Sequence, residues 1–176
     1  MPERLHWKTA TPLLKAALTG LMESNLFESF RLVGGTSLSL QLGHRISIDI
    51  DLFTDAQYES IDFKLIDTYL RKTFPYVSEF STEPVGMGVS CLIGEHRGKS
   101  VKLDLYYTDA FIQPALKIES LRLASIEEII AMKIDIVQRK ARKKDFWDIH
   151  ELISEYSPSQ MIALHAKRYP LIMTNN

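Results

Sequence analysis

Two carboxylates in the run HRISIDIDLF are placed to work together. Asp49 and Asp51 alternate with Ile48, Ile50 and Leu52, which is the period of a strand, so both acids project from one face, about 6–7 Å apart. Carboxylates side by side repel unless a cation or a proton sits between them, and hard divalent cations prefer such oxygen ligands. The alternative is a half-exposed strand with a solvated face. A third acid, Asp104, lies mid-way along VKLDLYY, where Val101, Leu103 and Leu105 alternate with Lys102, Asp104 and Tyr106. It either completes a three-carboxylate cage or serves as an edge charge that discourages strand pairing.

Phosphate chemistry has candidate groups as well. Gly34, Gly35, Thr36 and Ser37 stand between a strand candidate and a short helix. Glycines let backbone N–H groups approach a ligand, a helix N-terminus attracts an anion, and the two hydroxyls add donors. The alternative is a tight turn with Thr36 as the helix cap, and P-loop spacing is absent. Stepping 100° per residue from Ile126, Lys133 falls at roughly −20°, inside the apolar stripe of Ile129, Ile130 and Val137. A lysine there snorkels or meets an anion. Asp145 shares a face with Ile149, Leu152 and Tyr156 in the next helix, with Asp148 at its margin, and a structural Lys133–Asp145 salt bridge competes with a catalytic role for both. Between these helices, QRKARKK holds Arg139, Lys140, Arg142, Lys143 and Lys144. It is either a phosphate-binding segment or a solvated turn.

The elements that must position these groups follow from periodicity. Helices are expected over Thr11–Phe27, over SLSLQL ending at Gly43, over Ile61–Thr73, from the Ser125-x-x-Glu128 capping box to about Lys140, over Lys143–Tyr156 and over Pro158–Ala166. Strands are expected over Phe30–Val33, Ile46–Phe53 with Ile46, Ile48, Ile50 and Leu52 inward, Val85–Ile93 and Ser100–Tyr107, with EHRGK as a hairpin turn. This order is α+β: a mixed β-sheet flanked by helices with a C-terminal helical segment.

Composition bounds the rest. The 176 residues, 45% hydrophobic and 24% charged, suit one domain over 1–176 with a helical part at about 125–170. No apolar run reaches the roughly 18 residues of a membrane span, and no signal peptide is evident. The lone Cys91 cannot form an internal disulfide, so a reduced, cytoplasmic protein is expected. The net charge of −1 gives no global field for nucleic acid, so any phosphate binding is local.

The runs LVGGTSLSLQLGHRISIDIDLF, VKLDLYY and IEEIIAMKIDIVQRKARKKDFWDIHELI together resemble the AbiEii/AbiGii-type nucleotidyltransferases. These are toxins of type IV toxin–antitoxin (abortive-infection) systems within the DNA polymerase β-like superfamily. The resemblance covers roughly residues 30–155. It implies that Gly34, Gly35, Thr36 and Ser37 hold nucleotide phosphates, that Asp49 and Asp51 are paired ligands of Mg²⁺ or Mn²⁺ with Asp104 as the third carboxylate, and that Lys133 and Asp145 are the helical lysine and aspartate of the site. It further implies transfer of a nucleoside monophosphate from an NTP to an acceptor, RNA such as tRNA before a protein or small molecule, and a cognate antitoxin as partner. A non-catalytic binding module on the same fold is the rival reading.

Overall fold

The computed structural model describes residues 4–79 and 87–170. Helix α1 (Pro12–Glu23) starts where the Thr11 hydroxyl accepts from the Leu14 N–H, with proline in its first turn, and its buried face is Leu14, Ala17, Leu18 and Leu21. A 3-10 turn at Asn25–Phe27 leads to β1 (Arg31–Leu32), α2 (Gly34–Leu42), β2 (Asp49–Thr54) and α3 (Phe63–Thr73). Strands β3 (Tyr76–Val77), β4 (Gly88–His96), β5 (Lys99–Tyr107), β6 (Leu116–Ile118) and β7 (Leu121–Leu123) follow. Helices α4 (Ile126–Lys140), α5 (Lys143–Leu152) and α6 (Pro158–Arg168) close the described chain.

The α+β expectation holds. The strands form one mixed sheet in the order β3-β4-β5-β2-β1-β7-β6, in which β2 runs parallel to β5, and β1 to β7. Ile50, Leu52, Leu103 and Leu105 from its centre join α1 and α3 in one hydrophobic cluster. A second cluster joins Leu38 of α2, Ile129 and Ile130 of α4, Leu152 of α5 and Met161 of α6, with Phe53 of β2 packed against it. The alternation of β2 and β5 therefore sends the apolar residues towards α1 and α3, and Asp49, Asp51 and Asp104 towards α4 and α5.

Several expectations need correction. Ile46 and Ile48 are not part of a buried strand face: they are 69% and 60% exposed, and β2 begins only at Asp49. Just before it, Ser47 turns inward, donating its N–H to Thr9 O and sharing a hydroxyl–hydroxyl hydrogen bond with Thr36, which reverses the alternation. Short strands β3, β6 and β7 carry no turn glycine or long apolar alternation to announce them. β6 and β7 meet at Glu119, which adopts a φ of 54°. The start of the strand expected at Val85 lies outside the described residues. Ser125 does cap α4 by accepting from the Glu128 N–H, but the Glu128 carboxylate does not return the bond. It is fully buried, accepting from the N–H groups of Ile112 and Gln113 and from the Arg168 guanidinium.

That last pair ties α6 to α4 and to the loop after β5, since Arg168 also donates to Thr108 Oγ1 at 2.8 Å and Ala110 O at 3.2 Å. Arg168→Met would leave the Glu128 charge buried with backbone donors alone. We expect a loss of about 3–5 kcal/mol, read as a fall in the urea midpoint; an unchanged midpoint would show that α6 docks without this pair.

Candidate active site

Strand register sets the first half of the site. Asp51 and Asp104 are direct neighbours across the parallel β2–β5 pair, and Asp49 is the neighbour of Lys102. Asp104 is fixed at both oxygens: the Ser90 hydroxyl donates to Oδ1 at 2.5 Å, and Lys102 Nζ approaches Oδ2 at 2.5 Å. Lys144 Nζ sits 3.2 Å from Asp49 Oδ2. Among the described residues, Asp51 has no such cation in contact. Burial, followed by the charges of Asp104 and Asp49, pushes its carboxyl up to about 6.

The turn from β1 into α2 closes over these acids. Val33 donates its N–H to Asp51 O, and Gly34 then adopts a φ of +68°. A Cβ there would lie 2.6 Å from Asp51 Oδ2, so glycine is required both for the backbone and for the close approach. No side chain caps α2, and the first N–H groups of a helix have no intrahelical acceptor. Gly34 and Gly35, whose N–H groups are among these, line the same cavity as the carboxylates. Thr36 and Ser37 do not. The cap position falls on Val33, which places both residues inside the helix and buries them. Thr36 Oγ1 donates to Asp49 O and pairs with Ser47, while Ser37 Oγ accepts from Gln41. Their hydroxyls position β2 and α2 and do not face the cavity.

Helices α4 and α5 supply the other wall through a buried charge network. Lys133 Nζ lies 2.7 Å from Asp145 Oδ1 and 2.6 Å from Asp148 Oδ2. Asp148 also takes a two-pronged bond from Arg45, with Nε at 2.6 Å and Nη2 at 2.8 Å, and lies 2.9 Å from His44 Nε2. Burial alone would raise the Asp148 carboxyl; the bonds from Arg45 and His44 and the charge of Lys133 reverse this and hold it well below the usual range. Asp145 is depressed in the same way, burial being outweighed by Lys133 and by the Arg142 N–H and guanidinium. Gly35 belongs to this network: a Cβ on it would collide with the Arg45 guanidinium, which Asp148 prevents from moving aside.

The two walls enclose a cavity of about 370 Å³ that includes Asp49, Asp51 and Asp104, Gly34 and Gly35, and Lys133. Phe53, Ile129, Met132 and Ile136 give it an apolar side, and Arg142 and Lys144 stand at it from the α4–α5 junction. That volume lies within the range of small-molecule sites.

The model of the nucleotidyl transferase AbiEii toxin family, type IV TA system, matches residues 16–170. This chain belongs to that family. An uncharacterized Aquifex aeolicus protein is 26% identical over 145 residues, covering 81% of this chain and 66% of the relative, so the chain spans just under two thirds of that relative's length. Among solved structures, a candidate nucleotidyltransferase from Helicobacter pylori superposes with a TM-score of 0.61 at 20% identity, over 92% of this chain and 72% of that one. JHP933, also from Helicobacter pylori, gives 0.59 at 20% identity, over 92% and 70%. An antigenic nucleotidyltransferase-like protein from Paracoccidioides brasiliensis gives 0.51 at 20% identity, over 89% and 87%. At these identities the superpositions speak for a shared fold.

In this AbiEii-family chain the sequence-derived acids, glycines, lysine and helical aspartate converge on one cavity, Asp145 reaching it through Lys133. Asp148, Arg45, His44, Lys102 and Ser90 were not singled out from sequence as site residues. Lys102 and Asp148 left signals there, Lys102 on the strand face of Asp104 and Asp148 three residues after Asp145 at the edge of the apolar face. The donor set fits a hard divalent cation: carboxylate oxygens on one sheet face, where burial and then the charges of Asp104 and Asp49 raise the Asp51 carboxyl to about 6. The expected three-carboxylate cage is nonetheless not closed. Among the described residues no three acidic, His or Cys side chains converge to hold a metal, because Asp104 is drawn to Ser90 and Lys102, and Asp49 to Lys144.

Two predictions follow from these charges. Lys133→Met is expected to cost about 3 kcal/mol, the low end for a broken buried pair, since Arg45 still holds Asp148 and Arg142 still holds Asp145. Urea denaturation at pH 7 measures this, and an unchanged midpoint would mean Lys133 does not offset the two acids. The second concerns pH. Depressed carboxyls at Asp145 and Asp148 add stability that is complete above the unfolded value near 4 and is lost as pH falls through the folded values. Asp51 has the opposite sign: its charge costs stability that is absent below about pH 4 and complete above about 6. Unliganded Asp51→Asn should therefore melt above wild type at pH 7.5 and lose that margin by about pH 4, whereas Asp148→Asn should flatten the wild-type decline below about pH 4.

Proposed function

We propose that this cavity transfers a nucleoside monophosphate from an NTP to a hydroxyl of an RNA acceptor, tRNA being the leading candidate, as the toxic activity of a type IV toxin–antitoxin pair. The observation that carries the reading is the opposition of Asp49, Asp51 and Asp104 to the uncapped N-terminus of α2 within one cavity. A triphosphate needs both: N–H donors and cations for its oxygens, and carboxylates where its accompanying metal sits.

In this reading Gly34 and Gly35 N–H groups bind phosphate oxygens, and Lys144 and Arg142 neutralise those nearer the solvent. The apolar side at Phe53, Met132 and Ile136 receives the base or ribose. Asp49 and Asp51 hold Mg²⁺ or Mn²⁺, which when bound offsets the charge developing on the transferred phosphoryl group. Asp104, already oriented by Ser90 and Lys102, accepts the proton of the attacking hydroxyl. The acceptor oxygen forms a bond to the α-phosphorus, the bond from that phosphorus to the β-bridging oxygen breaks, and pyrophosphate leaves. Asp145 and Asp148 keep Lys133 at the floor of the cavity, where its charge faces the incoming phosphates.

Asp51→Asn keeps shape and removes a charge. Label transfer from an α-labelled NTP to RNA from a cell extract, and any growth inhibition, should fall by at least about a hundredfold. Wild-type turnover in the folded variant would remove Asp51 from the chemistry. Mg²⁺ together with one NTP should raise the wild-type melting point by roughly 5–10 °C, and NTP without the metal by much less, because its phosphates then face the acids unshielded. No shift with any NTP and no label in any fraction would end the transferase reading.

A further inference from the structure

Helix α5 has two faces. One carries the buried Asp145, Asp148 and Leu152. The other is uncovered: Lys143, Phe146, Trp147 and His150, spaced i, i+3, i+4 and i+7, form a single exposed stripe. Phe146 is 54% exposed and Trp147 57%. The Lys143 ammonium lies 5.0 Å from the centroid of the Trp147 ring, within cation–π range.

The stripe continues into the cavity. Arg142 and Lys144, the chain neighbours of Lys143, both line it. On the other side, the exposed Arg139 and Lys140 end α4, so five of the six residues 139–144 are cationic. Asp135 and Asp145 engage Arg139 and Arg142, yet both guanidinium side chains remain more than 60% exposed, at 65% and 63%. A surface that interleaves aromatic faces with this density of positive charge complements a chain whose bases stack and whose backbone is anionic. A rigid duplex would bury its base faces and leave the rings unused.

We propose that this stripe is the platform on which the unpaired strand of the RNA acceptor lies. Bases stack on Trp147 and Phe146, phosphates pair with Lys143, Arg139 and Lys140, and the strand passes Arg142 and Lys144 into the cavity. The inference rests on the RNA-acceptor reading above and assigns to α5 the recognition of single-stranded RNA.

The test uses the full chain with Trp7→Phe, which leaves Trp147 as the only tryptophan, and reads its fluorescence during titration with a single-stranded RNA octamer and with the same sequence as a duplex. We expect saturable quenching by the single strand and affinity for the duplex at least about tenfold weaker. Lys143→Gln should reduce the dependence of affinity on salt. In separate binding measurements by electrophoretic mobility, Trp147→Leu should weaken single-strand binding at least about tenfold, and Trp147→Phe should restore most of it. Each melting point should stay within about 2 °C of the parent, because the ring is more than half exposed. Equal affinity of the Leu variant, equal binding of the duplex, or capture of an acidic protein through Trp147 with RNA binding unaffected would each overturn the platform. The two readings fail separately. Single-strand binding through Trp147 without any label transfer supports the platform and contradicts the transferase, while label transfer to RNA that is indifferent to Trp147→Leu does the reverse.

Discussion

Asp148 is the constraint on which the site depends. It is fully buried, and a buried carboxylate is tolerated only with partners. It takes three, from two parts of the chain: Lys133 of α4, and Arg45 and His44 of the segment between α2 and β2. These bonds hold α5 against α4 and against the entry to β2. The position of Arg45 leaves no room for a side chain at Gly35, and the fixed helix α5 brings Lys144 to Asp49. One charge network therefore shapes both the glycine turn into α2 and the basic side of the cavity.

The opposite wall stores charge of the other kind. Asp49, Asp51 and Asp104 lie on the face of the sheet turned away from α1 and α3, so packing alone gives no reason to have acids there. Lys102 and Lys144 draw off two of them, and Asp51 is left with a raised affinity for protons. Anions that repel in the resting protein favour a cation when one is supplied.

The legible parts of this arrangement were local. Period-two alternation put Asp49 and Asp51 on a common face and marked Asp104 as an acid midway along a second strand, and helical spacing showed Lys133 inside an apolar stripe and Asp145 on a buried one. What was hidden was long-range. Arg45 and Asp148 are separated by 103 residues, and no local pattern predicts their meeting. Ile46 and Ile48 continue the alternation of β2 in sequence but not in space, because Ser47 is claimed by Thr9 and Thr36. The same contacts turn the Thr36 hydroxyl away from the cavity, so a residue with suitable chemistry serves as a strut. Strands of two or three residues, such as β3, β6 and β7, are set by their neighbours in the sheet and leave too little periodicity to read.

The central claim is that the carboxylate cavity moves the α-phosphoryl group of an NTP with its nucleoside attached. Parallel reactions with α-labelled and γ-labelled NTP, in the presence of Mg²⁺ and RNA from a cell extract, test it most directly. The account predicts that only the α label enters RNA, with one pyrophosphate released for each nucleotide transferred. Entry of the γ label, or release of phosphate from the NTP with no α label in any acceptor, would contradict it.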